Sequence, residues 1–507
     1  MSSRSKIPLL EWLALLAIVA LGFFLRTRDI GAFRLSPDDG NYLHSARVQE
    51  LERDASLGEM LAQDVEWVKW IARGDWRGGE LYPHSYLHQL AARWLYRFGL
   101  SSVAAVRTSS AIFGALTAAA LYAFAAWSMP ERRRVGLFAA LLLAVMPVHV
   151  WYSRTGWGVM GCTFFHVLYV AIAWELFANA SPSDGRKVAR LGVGLALTSV
   201  LAWGYHEMIA PFVVSMAVCF FGARIFGAQL GRAKLTAFVA SAAPVGLFTI
   251  GVYFFSDFAQ AHWFEADRAA TYAEMRWESA LSLLVNYRID VLLTYPVIAF
   301  ALLGAWSLYK EERALACFLA ANLGLGALLL FFLYQDPFLV RIYFPLAIFG
   351  VLFAAVGVAS LRRFLPSLAV IGVGASVALY LGLQTWFSLF GPLDHPFFNR
   401  YLYVVARGEL REPRHVDEHL IAKLRVLLGA HERVTAYADK GPLYRLFDAG
   451  IPASVTDLKG PRESLPTWVF APVTVMQREK RTTETGGEYR LVGEDLAGRI
   501  GLFRFAK

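Results

Sequence analysis

The chain has 507 residues, of which 57% are hydrophobic, 14% aromatic and 18% charged, and its formal net charge is +9. Soluble domains average about 45–50% apolar and about 25% charged residues, so this composition excludes an ordinary soluble protein and requires lipid to cover the apolar surplus. The basic residues collect in short links between apolar runs, which is typical of oriented membrane proteins and argues against nucleic-acid binding.

Eleven apolar runs are long enough to cross a bilayer, and each must be helical because lipid offers no partner for an open strand edge. The runs lie at 7–25, 104–128, 135–152, 159–178, 191–205, 208–226, 236–255, 290–309, 314–333, 339–359 and 367–390. The first run lacks a small-residue cleavage site, so we interpret it as a permanent anchor. The three cysteines lie inside such runs without disulfide or metal-binding spacing, which indicates core residues.

Lys and Arg residues determine the predicted orientation. Most of them occur in one alternating set of links, which includes the arginines at 132–134 and 362–363, whereas the opposite short links hold few. Basic links stay in the cytoplasm, so we expect a multi-pass protein of the inner (plasma) membrane with a cytoplasmic N-terminus. Three segments then face outward: a first loop at 26–103, a second loop at 256–289, and the tail after Phe390.

The predicted fold class is an α-helical polytopic membrane protein with about eleven transmembrane helices, an outward amphipathic first loop and a C-terminal α/β soluble domain. The transmembrane domain covers residues 1–390, and the extracytoplasmic domain covers 391–507. In the first loop, 41–53 and 86–97 have apolar residues at helical spacing, and we expect both to lie along the membrane surface. The tail contains predicted helices at 416–428 and 442–449, and predicted strands at 433–438, 467–471, 489–492 and 500–505.

The strongest local signal is the sequence SPDDGNY at 36–42, about a dozen residues beyond the first predicted span. Pro, Asp and Gly are common in turns and Asp caps helices, so one interpretation is a structural turn. The other interpretation is catalytic. Asp38 or Asp39 would act as a general base toward an acceptor hydroxyl, while its neighbour orients it or holds a divalent metal ion.

Two further clusters lie in segments that are predicted to face outward, the first loop and a short link. His84 and His88 stand at i and i+4 and share a helix face, but they lack a third metal ligand. Interfacial packing is therefore the preferred interpretation of His88. His206 and Glu207 occupy the short link between the fifth and sixth predicted spans, where they either pair with another loop or, through His206, contact an anionic lipid headgroup.

Two arginines are candidates for binding an anion. Arg154 is the only basic residue of its short outer link, and it either stacks on Trp151 or Trp157 or neutralises a first-loop carboxylate. Arg341 lies a few residues inside an apolar run, where it either snorkels to the surface or binds phosphate. We prefer the second interpretation, because a buried guanidinium needs an anion and its planar fork suits phosphate.

In this order, the motifs resemble those of the membrane glycosyltransferases of the protein mannosyltransferase and lipid A aminoarabinose transferase superfamily. In that superfamily an acidic motif ending in Tyr follows the first span, and residues 38–42, with Tyr42, fit it. A Lys/His-Pro-Pro-Leu segment comes next. Residues 82–87 are a looser version of it, which makes His84 a candidate site residue.

The later motifs follow in the same order. In the superfamily an Arg-Leu/Thr-x-Ser-Ala stretch opens the second span, and residues 107–111 match it. A proline and then a Ser-Arg pair come next, and Pro147 and residues 153–154 match them. An Arg-Tyr-x-x-Pro motif begins a late span. It is similar to residues 341–345, although Tyr343 stands one place later than in the motif.

The resemblance covers roughly residues 1–360 and implies a hexosyl or pentosyl transferase. A sugar would move from a polyprenyl phosphate carrier to an acceptor hydroxyl on a protein, lipid or glycan at the outer face, with inversion. The acidic pair would hold the base. The carrier phosphate and the rest of the substrate would be bound by the other site candidates, which are Tyr42, His84, Arg154, His206, Glu207, Arg341 and Tyr343.

One departure from the superfamily concerns a metal cofactor. Many relatives have an acidic residue shortly after the Ser-Arg pair, whereas residues 156–161 read GWGVMG here, without a carboxylate. This departure leaves open whether the protein requires a divalent metal ion. Asp39 is a candidate ligand, and Glu207 or Asp257 would hypothetically replace the missing carboxylate.

The sequence leaves two other classes of function open. A transporter of lipid-linked sugars would need ionisable residues well inside several spans, whereas the candidates cluster at the predicted outer ends. A non-catalytic membrane scaffold would present its tail to a partner, and the acidic pair would then be only a turn. Replacement of Asp38 separates enzyme from scaffold, because only an enzyme would lose activity while it still folds.

Overall fold

The structure is a computed structural model. It describes residues 8–31, 37–72, 85–181, 183–221, 231–255, 294–333, 343–392, 395–397, 415–428, 434–436, 444, 446–451, 454–455, 468–472, 488–494 and 500–506. Several predicted features lie outside the described residues, namely His84, Asp257, Arg341, the second loop, and the side chains of Asp38 and Cys219.

The described part of residues 1–390 is almost entirely helical. Its helices are α1 (Leu9–Thr27), α2 (Pro37–Ser45), α3 (Leu57–Ala72), α4 (Tyr86–Arg97), α5 (Ser102–Ser128), α6 (Arg133–Ala144), α7 (Pro147–Tyr152), α8 (Val159–Trp174, continued by a π-helical turn over Glu175–Asn179), α9 (Gly185–Tyr205), α10 (Ile209–Phe221), α11 (Arg232–Phe255), α12 (Tyr295–Glu311), α13 (Arg313–Leu333), α14 (Phe344–Ser360) and α15 (Ser367–Phe390).

Eight helices in the described ranges are long and apolar enough to cross a membrane, namely α1, α5, α8, α9, α11, α13, α14 and α15. The chain is therefore a multi-pass membrane protein. The fifth predicted span, which its glycines weaken, is among the eight as α9. Helix α10 is apolar but shorter, and α12 has 17 residues, so the total of eleven spans stays a prediction.

The third predicted run, 135–152, forms two helices instead of one. Helix α6 ends at Ala144 and α7 begins at Pro147, because a proline inside a helix removes a hydrogen-bond donor and its ring clashes with the preceding turn. Arg26, at the end of α1, satisfies the carbonyls exposed by this break. Its Nη1 donates to Ala144 O at 2.9 Å and its Nη2 to Leu143 O at 3.3 Å.

The first loop differs from the prediction in one stretch. Residues 41–53 do not form one helix: α2 ends at Ser45 and a short 3₁₀ turn covers Val48–Glu50. The interruption falls at Arg47, whose left-handed backbone conformation (φ 50°) does not continue a helix. Helix α3 follows and is not among the predicted helices, whereas α4 coincides with the predicted helix at 86–97.

A buried cluster of charges ties α3 to α4. Arg93 Nε donates to Asp64 Oδ1 at 2.7 Å, and Arg97 Nη1 lies 3.0 Å from both carboxylate oxygens. All three side chains are buried. Arg93 Nη1 also donates to Ala46 O at 2.6 Å, just beyond the end of α2. The cluster therefore holds α2 in place relative to α3 and α4.

The C-terminal region combines helix and sheet. It contains α16 (His415–Leu427) and the strands β1 (Val434–Ala436), β2 (Ser454–Val455), β3 (Trp468–Pro472), β4 (Glu488–Glu494) and β5 (Ile500–Ala506). The strand order is β2-β1-β3-β5-β4, with β1 parallel to β2 and β3, and β5 antiparallel to β3 and β4. The four predicted strands coincide with β1, β3, β4 and β5. The predicted boundary between the two domains at residue 390 stays a prediction.

The C-terminal region also contacts the first loop. The hydroxyl of Tyr444 donates to Gln49 Oε1 at 2.7 Å, and Asp448 Oδ1 accepts from the backbone N–H of Ser102 at 3.1 Å. Ser102 is the first residue of α5. Tyr444 is fully buried in the apolar cluster that contains Tyr42. The C-terminal region therefore packs close to α2 and to the start of α5.

We expect the substitution Asp64→Ala to lower the free energy of unfolding by about 3–5 kcal/mol, because it leaves two buried guanidinium groups without their carboxylate. Chemical or thermal unfolding of the purified protein in detergent measures the loss. Glu66→Ala on the same helix is the matched control. Its exposed carboxylate pairs with Lys69 at 2.6 Å, and such surface pairs contribute less than about 1 kcal/mol. Equal losses in the two variants would contradict this account of the cluster.

Candidate functional site

Asp39 is the best-defined member of the predicted acidic pair. It lies in the first turn of α2 and is fully buried. Its Oδ2 accepts from Arg107 Nε at 3.1 Å and from Arg107 Nη2 at 2.9 Å, and its Oδ1 accepts from the backbone N–H of Gly156 at 2.6 Å. These hydrogen bonds offset the cost of removing a carboxylate and a guanidinium from water.

Arg107 joins three parts of the chain at this point. It lies one turn into α5 and is fully buried. Besides Asp39, it donates from Nη1 to Ile30 O at 3.2 Å, in the segment that follows α1. The link after the first span, the acidic motif of α2 and the start of the second span therefore meet at one guanidinium.

His88 approaches the same centre from α4. Its Nε2 lies 2.6 Å from Gly156 O and its Nδ1 lies 3.2 Å from Ser109 Oγ. Because a carbonyl only accepts, Nε2 carries the proton, and Nδ1 accepts from the Ser109 hydroxyl. Burial lowers the pKa of His88 to about 4, and the hydrogen bond to Gly156 opposes that effect. His88 is therefore neutral at pH 7, and its two hydrogen bonds connect α4 to α5 and to the link after α7.

Two glycines of the stretch GWGVMG stand where a larger side chain would clash with neighbouring atoms. A Cβ on Gly156 would lie 2.5 Å from Asp39 Oδ1, and a Cβ on Gly158 would lie 2.2 Å from the backbone oxygen of Tyr205. Cβ atoms do not approach other atoms this closely. The space that a side chain would need is thus filled by the Asp39 carboxylate and by the end of α9.

His206 and Glu207 follow directly after α9. His206 Nδ1 lies 3.3 Å from Glu207 Oε2, and both side chains are buried. The pair thus forms between neighbours in the chain. Burial and, second, the negative charge of Glu207 raise the pKa of the Tyr86 phenol at the start of α4. The ring of Tyr205 lies 6.5 Å from that of His88, on the same side of the site.

Arg154 follows α7 and is almost fully buried. Its Nη1 donates to Leu25 O at 2.8 Å, and its guanidinium lies 5.4 Å from the centre of the Phe390 ring. Phe390 of α15 is thus an aromatic neighbour of Arg154, and the predicted alternatives, stacking on Trp151 or Trp157 or neutralising a first-loop carboxylate, stay predictions. Burial and, second, the positive charge of Arg107 lower the pKa of Arg154 to about 9, so a nearby anion would stabilise its charged form.

Tyr343 lies at the start of α14 and is buried. The ring of its neighbour Phe344 packs edge-on against Tyr152 at 5.1 Å, and Tyr152 in turn lies 5.2 Å from Trp157. Because Tyr152 ends α7, the start of α14 is at the same end of the helix bundle as Arg154. We call this end, which also holds Asp39, the site end.

The described residues thus bring most of the predicted candidates to one end of the bundle. Tyr42 joins them, since its ring lies edge-on to His88 at 5.2 Å and its hydroxyl lies 3.3 Å from Ser85 Oγ. The sequence prediction does not include Arg107, Gly156 or His88 in the site. Arg107 stands in the Arg-Thr-x-Ser-Ala motif, and a charge inside an apolar span is the signal that points to it.

The described residues do not indicate a metal centre. Within the described ranges, no three His, Cys, Asp or Glu side chains are grouped as they would need to be to hold a metal ion. Asp39 has a guanidinium on one oxygen and an amide N–H on the other, so its carboxylate does not fit a divalent cation in this arrangement.

The chain shares its fold with solved structures of ArnT. It aligns with the crystal structure of ArnT from Cupriavidus metallidurans bound to undecaprenyl phosphate with a TM-score of 0.52 and 12% identity, over 98% of each chain. The apo state of the same protein aligns with a TM-score of 0.50 and 12% identity, over 97% of each chain. The predicted resemblance to polyprenyl-phosphate-dependent glycosyltransferases is confirmed at the level of the fold.

A third solved structure is more distant. The archaeal oligosaccharyltransferase AglB from Archaeoglobus fulgidus, in complex with an inhibitory peptide and a dolichol-phosphate, aligns with a TM-score of 0.49 and 13% identity, over 93% of this chain and 70% of that chain. No protein-family model and no curated protein sequence matches the chain.

We expect Gly158→Ala to lower the free energy of unfolding by about 1–3 kcal/mol, because its methyl group would overlap the backbone at Tyr205. Unfolding in detergent measures the change. Gly251→Ala in α11 is the matched control, since no atom lies within 4 Å of its Cβ position and Ala suits a helix interior better than Gly. A neutral or stabilising Gly158→Ala would show that the close approach is absent.

Stability should also depend on pH through His88. Its pKa is about 4 in the folded protein and near 6.5 when unfolded, so the unfolded chain binds more protons between these values. The free energy of unfolding should therefore fall as the pH is lowered from 6.5 to 4, by at most about 3 kcal/mol from this group. His88→Gln should show a shallower dependence in this window, and an unchanged pH dependence would contradict the assignment.

Proposed function

We propose that the chain transfers a sugar from a polyprenyl phosphate carrier to an acceptor hydroxyl at the extracytoplasmic face of the inner membrane. One observation carries this proposal: the acidic motif after the first span is held at the site end by Arg107 and by the Gly156 amide. The shared fold with ArnT, which was crystallised with undecaprenyl phosphate, supports the class of donor.

The distribution of basic residues supports the proposed orientation. The end opposite the site carries the arginines at 132–134 and 362–363, together with Arg186, Lys187 and Arg190 at the start of α9. By the positive-inside rule this end faces the cytoplasm, and the site end faces outward. An outward site would receive a donor that is already in the membrane, and no nucleotide-binding loop would be needed.

The two acidic residues are proposed to have different roles. Both oxygens of Asp39 are engaged by donors, so Asp39 positions the first turn of α2. Asp38 precedes it and is proposed as the general base that takes the proton of the acceptor hydroxyl. The acceptor oxygen then bonds to the anomeric carbon, the bond from that carbon to the phosphate oxygen breaks, and its electron pair leaves with the carrier phosphate. This displacement inverts the anomeric centre.

The leaving phosphate gains negative charge as that bond breaks. A cation placed next to it stabilises the transition state, which has oxocarbenium character at the sugar. Arg154 suits this role because it is buried, cationic and close to Arg107. Arg341 and Tyr343, at the start of α14, are proposed to bind the same phosphate, while His206, Glu207, Tyr42 and His84 are proposed to line the substrate site.

The test uses purified protein in lipid with a panel of radiolabelled polyprenyl phosphate sugars. Wild type should release polyprenyl phosphate from at least one donor, and Asp38→Asn should lower kcat by about 10²–10⁴-fold with a similar KM. Asp39→Asn should lower activity and thermal stability together, because Arg107 loses its partner. Arg154→Ala and Arg341→Ala should slow release of the carrier phosphate.

The exposed residue Asp54 of the same loop provides the control, and Asp54→Asn should leave turnover unchanged. Full activity of both Asp38→Asn and Asp39→Asn would show that the acidic pair is only a turn. If no donor is turned over while the lipids still bind, a binding or scaffold role would replace the proposed reaction.

A further inference from the structure

A cleft of about 910 Å³ lies at the end of the bundle opposite the site. It is formed by the start of α6, the end of α14 and the start of α15. Its volume is in the range of sites that hold drug-sized or larger ligands. None of the residues that line it takes part in the proposed reaction.

One wall of the cleft is apolar. It is lined by Phe138 and Leu141 of α6, Val358 of α14, and Val370 and Ile371 of α15. Ile371 is 60% exposed, and on the same helix Leu368 is 82% exposed. In a membrane helix such residues face lipid tails. The apolar wall is therefore continuous with the lipid-facing surface of α15.

The rim of the cleft is basic. Five arginines line it, namely Arg132, Arg133, Arg134, Arg362 and Arg363. Three carboxylates are close to them. Arg132 and Arg363 contact Glu311, Arg133 Nε lies 2.9 Å from Glu11 Oε2, and Glu131 lines the rim. The arginines therefore exceed the carboxylates by two positive charges.

Two of the arginines are available to a ligand. The side chain of Arg134 is 86% exposed, and its Nε is 3.6 Å from Glu11 Oε1, beyond hydrogen-bond distance. Arg362 is exposed and has neither a hydrogen bond nor an ion pair with any residue that the structure describes. A phosphate between the rim and water would find the donors of Arg362 without displacing an ion pair, and those of Arg134 by competing only with its long, exposed ion pair to Glu11.

The combination of wall and rim selects the chemistry of the ligand. A free phosphate or a soluble nucleotide would use the basic rim but would leave the apolar wall empty. A zwitterionic lipid would fill the wall, yet its headgroup cation would oppose the excess of arginines. An anionic phospholipid matches both surfaces, since basic pockets between membrane helices attract acidic headgroups.

We propose that this cleft binds one anionic phospholipid, with an acyl chain along the apolar wall and the headgroup phosphate at the rim arginines. The bound lipid joins α6, α14 and α15 at the end opposite the site. This inference rests on the membrane location of the helices and not on the proposed reaction, so either can fail without the other.

Native mass spectrometry of the detergent-purified protein tests the proposal with phosphatidylglycerol and phosphatidylcholine of identical acyl chains. Wild type should retain phosphatidylglycerol in preference to phosphatidylcholine. The double variant Arg134→Ala/Arg362→Ala should bind phosphatidylglycerol about tenfold or more weakly, because each basic residue near an anionic headgroup adds to the attraction. Arg186→Ala/Arg190→Ala is the matched control, since it removes two exposed charges from the same end outside the cleft.

A second variant tests the apolar wall. Ala375→Trp on the exposed side of α15 fills the cleft without changing its charge, and it should also reduce retention of phosphatidylglycerol. Equal retention of the two lipids by wild type would overturn the proposal, as would unchanged retention in the Arg134→Ala/Arg362→Ala variant. Complete competition by soluble glycerol 3-phosphate would show that the rim binds phosphate alone, which would also overturn it.

Discussion

The carboxylate of Asp39 is fixed by donors from two other elements, and the arrangement of all three elements depends on it. Arg107 reaches it from α5, and the amide of Gly156 reaches it from the link between α7 and α8. Burying two opposite charges costs several kcal/mol per ion, and only well-formed hydrogen bonds offset that cost. Few relative positions of the first loop, the second span and this link would preserve these bonds. The site end is thereby organised before any substrate arrives.

Other buried cations at the site end bind backbone carbonyls. Arg26 donates to the last carbonyls of α6, and Arg154 donates to Leu25 O at the end of α1. Carbonyls at helix ends carry only partial negative charge, so they satisfy the donors of a guanidinium without neutralising it. These contacts attach α1 to α6 and to the link after α7 while preserving positive potential beside Asp39. A positive potential in a partly dehydrated site is what a phosphate-bearing carrier requires.

Much of the helical architecture follows from hydropathy, because a span needs about 20 apolar residues whatever its neighbours are. The break before α7 follows from Pro147 by an equally local rule, although hydropathy alone hides it. The contacts of Asp39 are different. Arg107 is 68 residues away in the chain and Gly156 is 117 residues away, and spacing carries no information about such contacts. Read alone, the GWGVMG stretch indicates that a metal-binding carboxylate is missing. The atoms packed against Gly156 and Gly158 give a steric reason for the glycines at these positions.

The contact between the C-terminal region and the first loop has a consequence for biosynthesis. Asp448 accepts from the first amide of α5, which lies 346 residues earlier, and Tyr444 reaches Gln49 across 395 residues. The same helix carries Arg107 little more than one turn further on. A chain that emerges from its N-terminus can insert its helices well before these partners exist. The contacts of the first loop and of the start of α5 are therefore completed only after residue 448 has been made, so a nascent protein would occupy the membrane before this packing is in place.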